Sequence, residues 1–68
     1  MRDVAIRDDS IRLGQFLKLA GLADMGSDAK QLLLDGEVTV NDEPEARRGR
    51  QLHKGDVVVV GDEAARVA

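Results

Sequence analysis

Ser27-Asp28-Ala29-Lys30-Gln31-Leu32-Leu33-Leu34-Asp35-Gly36-Glu37-Val38-Thr39-Val40-Asn41-Asp42 is the stretch that decides the fold. In its first half Ala29, Leu32 and Leu33 share one helical face, the Ser27 hydroxyl can cap an otherwise unbonded amide of the first turn, and Gly36 stops the helix. In its second half the period changes to two. Val38 and Val40 alternate with Glu37 and Thr39, and Asn41-Asp42 tolerates the positive φ values of a two-residue hairpin turn. Leu34 falls off the helical face, so a second surface is expected to cover it. A helix that leads straight into a hairpin means an α+β chain.

Upstream, Leu13, Phe16, Leu17 and Ala20 recur at the spacing of one helical face and Gly21 suits a stop, which predicts helices over about 13–20 and 27–35. Val4-Ala5-Ile6 is a short apolar run that reads as an edge strand or an ordered arm. Downstream, a strand near 38–40 is expected to pair with one near 43–46, where Pro44 suits an edge, and Val57-Val58-Val59-Val60 reads as a buried strand after the turn Lys54-Gly55-Asp56. Ala65 to Val67 can return as a last short strand. The expected architecture is α+β, a pair of helices on a small antiparallel β-sheet, in a single domain over residues 1–68.

A chain of 68 residues buries only about 60% of the surface its unfolded form exposes, which leaves little volume for a deep catalytic cavity. Without cysteine there is no disulfide, thiol nucleophile or thiolate metal site, as suits a reducing cytoplasm. Asp3, Asp8 and Asp9 stand where a signal peptide needs apolar residues, and the run Val57 to Val60 is too short to span a bilayer. The expectation is therefore a soluble, unprocessed protein with no membrane partner. His53 is the sole histidine, and no Ser/His/Asp set, metal-ligand cluster or glycine-rich phosphate loop can be assembled. Neither an enzyme nor a cofactor is expected.

The formal charge of −3 argues against a polyanion partner until its distribution is considered. Arg47, Arg48, Arg50 and Lys54 follow one another with no acid between them, whereas most carboxylates precede Glu45. A plain solvated loop is the alternative reading of this cluster. The chain has no Tyr or Trp, and its one Phe, Phe16, lies on a helical core face, so bases cannot stack on exposed rings. Phosphate and shape contacts remain, for which the planar guanidinium is well suited. Lys30 lies one turn from the start of the second helix, where the free amides of Ser27 and Asp28 favour an anion, although Asp28 competes for that positive end. Lys18 and Gln31 project away from the core faces, and His53 reads as an ordinary exposed imidazole.

Leu13-Gly14-Gln15-Phe16-Leu17-Lys18, Ala29-Lys30-Gln31-Leu32-Leu33, Gly36-Glu37-Val38-Thr39-Val40-Asn41 and Gly55-Asp56-Val57-Val58 together resemble the RNA-binding domain named after the fourth small-subunit ribosomal protein, here the S-four domain. The resemblance covers about residues 11–60. It implies a helix-turn-helix, the αL motif, packed on a small sheet, with structured RNA such as ribosomal RNA or tRNA meeting the second helix and the adjoining loop. Arg47-Arg48-Gly49-Arg50 is similar to the loop of small stand-alone bacterial members, and ribosome association is implied with it. By resemblance the RNA contacts fall on Lys30, Gln31, Arg47, Arg48 and Arg50, and secondarily on Ser27, Lys18 and Lys54. Many members carry arginine where this chain has Asp28, so the arginine loop is expected to take over that contact.

A reading from another class is a protein-interaction module, in which the basic loop docks on an acidic partner and an edge strand pairs with a partner's strand.

Overall fold

Both helices end as their glycines dictate. At Gly21 and Gly36 the backbone takes the left-handed conformation, with φ of 73° and 72°. The amides that follow turn back onto the last helical carbonyls: Gly21 N to Lys18 O at 3.1 Å and Leu22 N to Leu17 O at 2.9 Å, then Gly36 N to Leu33 O at 3.2 Å and Glu37 N to Leu32 O at 3.1 Å. This double closure satisfies carbonyls that would otherwise end the helix unbonded. In the computed structural model, which describes residues 1–25 and 27–68, the elements are β1 (Arg2–Val4), β2 (Ser10–Arg12), α1 (Leu13–Leu19), α2 (Gly26–Leu34), β3 (Val38–Val40), β4 (Glu43–Pro44), β5 (Gln51–His53), β6 (Val57–Val60) and β7 (Glu63–Val67). The chain is α+β.

The sheet is mixed, not antiparallel. Its order is β1-β7-β6-β3-β4, with β2 and β5 forming a separate two-stranded ribbon. The parallel pair is β1 with β7, in the register Arg2 to Ala65, Asp3 to Arg66 and Val4 to Val67. That pairing joins segments from opposite ends of the sequence, and a short chain segment carries no local signal for its direction. The strand starts two residues earlier than Val4-Ala5-Ile6 suggests, because its pairing with β7 begins at Arg2; the Arg2 guanidinium also donates to the Ala20 carbonyl, and Arg66 forks onto Asp3 through Nε (3.0 Å) and Nη2 (2.9 Å).

The core forms where the helical faces meet the inner face of the sheet. Leu13, Phe16 and Leu17 of α1, Ala29 and Leu33 of α2, Leu52 of β5, and Val38, Val40, Val58, Ala65 and Val67 of the sheet are buried together. Val40, Val58 and Ala65 occupy one register row and are fully buried. Burial of each Leu, Val or Phe contributes about 1.5–3 kcal/mol.

Several expectations need correction. Strand β6 is fully buried only at Val58; Val57 and Val59, on the other face, and Val60 are half-buried, although β3 and β7 flank the strand on both edges. Strand β4 stops at Pro44 rather than reaching residue 46. Helix α2 is flanked by Met25 in extended conformation with no side-chain cap, so Ser27 sits inside the first turn and does not cap it. Leu34 remains 70% exposed, whereas Leu33 beside it packs in the core with Val38 of the hairpin. Nothing covers Leu34 among the described residues.

The Asn41-Asp42 turn has φ of 52° and 70°, as a two-residue hairpin requires. Asn41 also clamps two turns together. Its Nδ2 donates to Asp56 Oδ1 (3.1 Å), its Oδ1 accepts from the Val57 amide (2.9 Å), and Asp56 Oδ2 accepts from the His53 amide (2.8 Å).

Candidate nucleic-acid interface

Between β4 and β5 the Arg50 amide donates to the Arg47 carbonyl at 3.2 Å, closing a four-residue turn with Arg48 and Gly49 at its tip. The turn docks on the start of α1, where Leu13 N donates to Arg50 O at 2.8 Å and Gly14 N to Arg48 O at 3.0 Å. The first four amides of a helix lack intrahelical acceptors, and Arg12 at the N-cap supplies no side-chain bond. The loop backbone therefore caps α1. The ribbon of β2 and β5, in the register Ser10 to His53, Ile11 to Leu52 and Arg12 to Gln51, leads the chain into this position.

The loop is organised around Glu45, a buried carboxylate that the charge pattern did not single out. Its Oε1 accepts from the amides of Ala46 and Arg47, both at 3.0 Å, and from Arg47 Nε at 3.2 Å; its Oε2 accepts from Arg47 Nη2 at 3.3 Å and Arg50 Nη1 at 3.1 Å. Hydrogen bonds from the Arg47 side chain and amide, with Arg50 adding to them, hold the carboxyl down at about 2 despite its burial.

Arg48 has no such partner. No acid pairs with it among the described residues. Its side chain crosses the helix start above Gly14, close enough that a Cβ there would collide with its Cγ. On one side it borders a cleft of about 180 Å³ with Arg12, Gly14, Gln15, Lys18 and Ala29. On the other it borders a cleft of about 220 Å³ with Lys30, Leu33, Leu34 and Ala46. No acid lines either cleft among the described residues.

The expected contact residues thus separate. Arg48 shares one cleft with Lys18 and another with Lys30, and the first also holds Arg12, which the sequence reading missed because it looks like one more surface charge ahead of a helix. Arg47 and Arg50 are gathered on Glu45. Gln31 lies elsewhere, lining a depression with Asp24 and Asp28 and donating to Asp35 Oδ1 at 3.0 Å. Ser27 and Lys54 are exposed and line neither cleft, and His53 is an exposed residue of β5. Among the described residues no three His, Cys, Asp or Glu side chains converge as metal ligands would, and no helix is long and apolar enough to cross a membrane.

Two short helices against a small mixed sheet, with a loop that caps the first helix and carries cations, define a class of small α+β domains. A family model described as the S4 domain matches residues 4–68, and the chain belongs to that family. It is 53% identical over 57 residues to a protein of Bacillus subtilis (strain 168) named "Probable ribosome maturation protein RlbA", across 84% of this chain and 80% of that one. Its fold is similar to the crystal structure of the 30S ribosomal protein S4e from Thermoplasma acidophilum, with a TM-score of 0.66 and 23% identity over 88% of this chain. The chain spans 32% of the length of that ribosomal protein, and the likeness is one of fold.

Proposed function

We propose that the protein binds structured RNA, of the ribosomal or transfer class, through phosphate and shape contacts, as a cytoplasmic ribosome-associated protein that performs no catalysis. In this reading α1 and α2 form the αL helix-turn-helix, with Arg48, Lys18, Lys30 and Arg12 at the centre of the interface and Arg47, Arg50, Gln31, Ser27 and Lys54 around it. The observation that carries it is the place of Arg48, between two clefts lined by Arg12 and Lys18 on one side and Lys30 on the other. Family membership supports it, as do a relative named for ribosome maturation and a fold shared with a ribosomal protein. Phe16, the only aromatic residue, is fully buried, which favours phosphates over stacked bases.

Filter binding to a folded stem-loop RNA tests the reading. If about four phosphates are neutralised, log affinity against log salt has a slope near −3 to −3.6, and a fourfold rise in salt weakens binding on the order of a hundredfold. A triple Arg47/Arg48/Arg50→Ala variant that keeps its circular dichroism but binds RNA as tightly as wild type would remove the loop from the interface. Salt-insensitive capture of a partner strand would then favour a protein-interaction module.

A further inference from the structure

The three loop arginines are not equivalent. Arg47 and Arg50 stand at the two ends of the turn and both grip one carboxylate, while Arg48 stands at its tip. We propose that Glu45 is the positioning residue of the interface: its buried carboxylate engages the half-buried Arg50 and one edge of Arg47, whose side chain is otherwise 78% exposed, and thereby fixes Arg48 as the guanidinium that meets RNA phosphate. The inference rests on the RNA-binding reading and adds to it which arginine makes contact and what aims it.

The Glu45 side chain is only 8% exposed and receives two main-chain and three guanidinium hydrogen bonds. A carboxylate offers about four lone-pair sites, so it is saturated. A phosphate that drew Arg47 or Arg50 away would leave a buried charge short of partners, and stripping a buried ion of its partner costs more than the new contact returns. No such cost attaches to Arg48. Its carbonyl is tied to Gly14 N and that of Arg50 to Leu13 N, so the tip is anchored to α1 on both flanks while the Arg48 side chain lies along the two clefts. Two arginines on one carboxylate leave that trio with a single positive charge, and Arg48 brings a second.

Glu45→Gln tests the idea, because positioning and simple electrostatics predict opposite signs. The variant keeps the size of the side chain, makes the protein one unit more positive, and turns an amide N–H toward the arginines. Charge attraction alone predicts tighter RNA binding. Positioning predicts roughly tenfold weaker binding to the stem-loop RNA, as for loss of about one charge-assisted hydrogen bond. It also predicts faster hydrogen exchange at the Leu13 and Gly14 amides without ligand, with circular dichroism unchanged.

Arg48→Ala should flatten the salt slope by about 0.7–0.9 while leaving those amides protected, and Arg50→Ala should do the reverse. Equal or tighter binding by Glu45→Gln, or an Arg50→Ala variant that flattens the slope with protection intact, overturns the proposal. Were Glu45→Gln to unfold, the Arg48→Ala and Arg50→Ala pair still decides it. Wild-type protein that fails to bind the RNA refutes the RNA reading instead, and the exchange data alone then decide whether Glu45 holds the loop.

Discussion

The side chain of Arg48 occupies the space that a Cβ at Gly14 would need. Gly14 is buried in the first turn of α1 and its φ is not positive, so the requirement is steric and not conformational. A glycine in a helix normally costs about 1 kcal/mol relative to alanine. Here it lets an arginine lie across the helix start.

Gly14→Ala should therefore fail to deliver the usual helical gain and should weaken RNA binding much as Arg48→Ala does. Thermal melts paired with filter binding check both effects. A variant stabilised by the full ~1 kcal/mol and equally tight on RNA would show that Arg48 does not depend on that space.

Leu33 and Leu34 are neighbours in α2 with opposite fates, 3% and 70% exposed. Leu33→Ala should cost roughly 2–5 kcal/mol through lost burial and the cavity left behind. Leu34→Ala should change stability by less than about 0.5 kcal/mol. Urea titrations of the two variants measure the contrast, and similar losses would mean that Leu34 is covered in solution.

The Glu45 carboxyl, lowered from 4.5 to about 2, sets the sign of a pH effect. A folded-state value below the unfolded one gives stability that is present above the unfolded value and is lost as pH falls toward the folded one. Stability should decline between about pH 5 and pH 2, and Glu45→Gln should make that decline shallower. Asp3, lowered by its hydrogen bonds with Arg66, contributes in the same direction and is common to both proteins. Denaturant midpoints over this range, compared between wild type and variant, isolate Glu45; parallel curves would contradict its role.

Asn41 and Asp42 both have positive φ, but only Asn41 bridges to Asp56 and Val57. Asn41→Gly keeps the permitted backbone and loses two hydrogen bonds, at a cost of about 1–2 kcal/mol. Asp42→Gly loses none of them and should stay within about 0.5 kcal/mol of wild type. Paired melts of the two glycine variants distinguish clamp from turn.

The sequence by itself determined the elements whose cause is local. The four-residue face Leu13, Phe16, Leu17 and Ala20, the stops at Gly21 and Gly36, and the Asn41-Asp42 turn each follow from interactions within a few residues, and each is found where the spacing places it. The motif resemblance reached the family by the same route. Lys18 and Lys30 were legible as candidate contacts because exposure of a helical residue follows from its place on the face, and Arg48 because it stands in a basic run with no acid in it.

Only the tertiary structure decided what depends on segments far apart in the chain. The parallel pairing of β1 with β7 and the ribbon of β2 with β5 are short, and short strands have too few residues for alternation to declare a partner or a direction. Leu34 is off the helical face in sequence, but whether it is covered depends on where the following hairpin travels. The clearest case is Glu45. In sequence it is one acid among 13, ahead of a run of arginines. Folding removes it from water, and a carboxylate there must collect donors; it takes the amides of Ala46 and Arg47 and the guanidinium groups of Arg47 and Arg50. Charge can be counted along a chain, but which charges neutralise one another is settled by burial, and burial exists only in three dimensions.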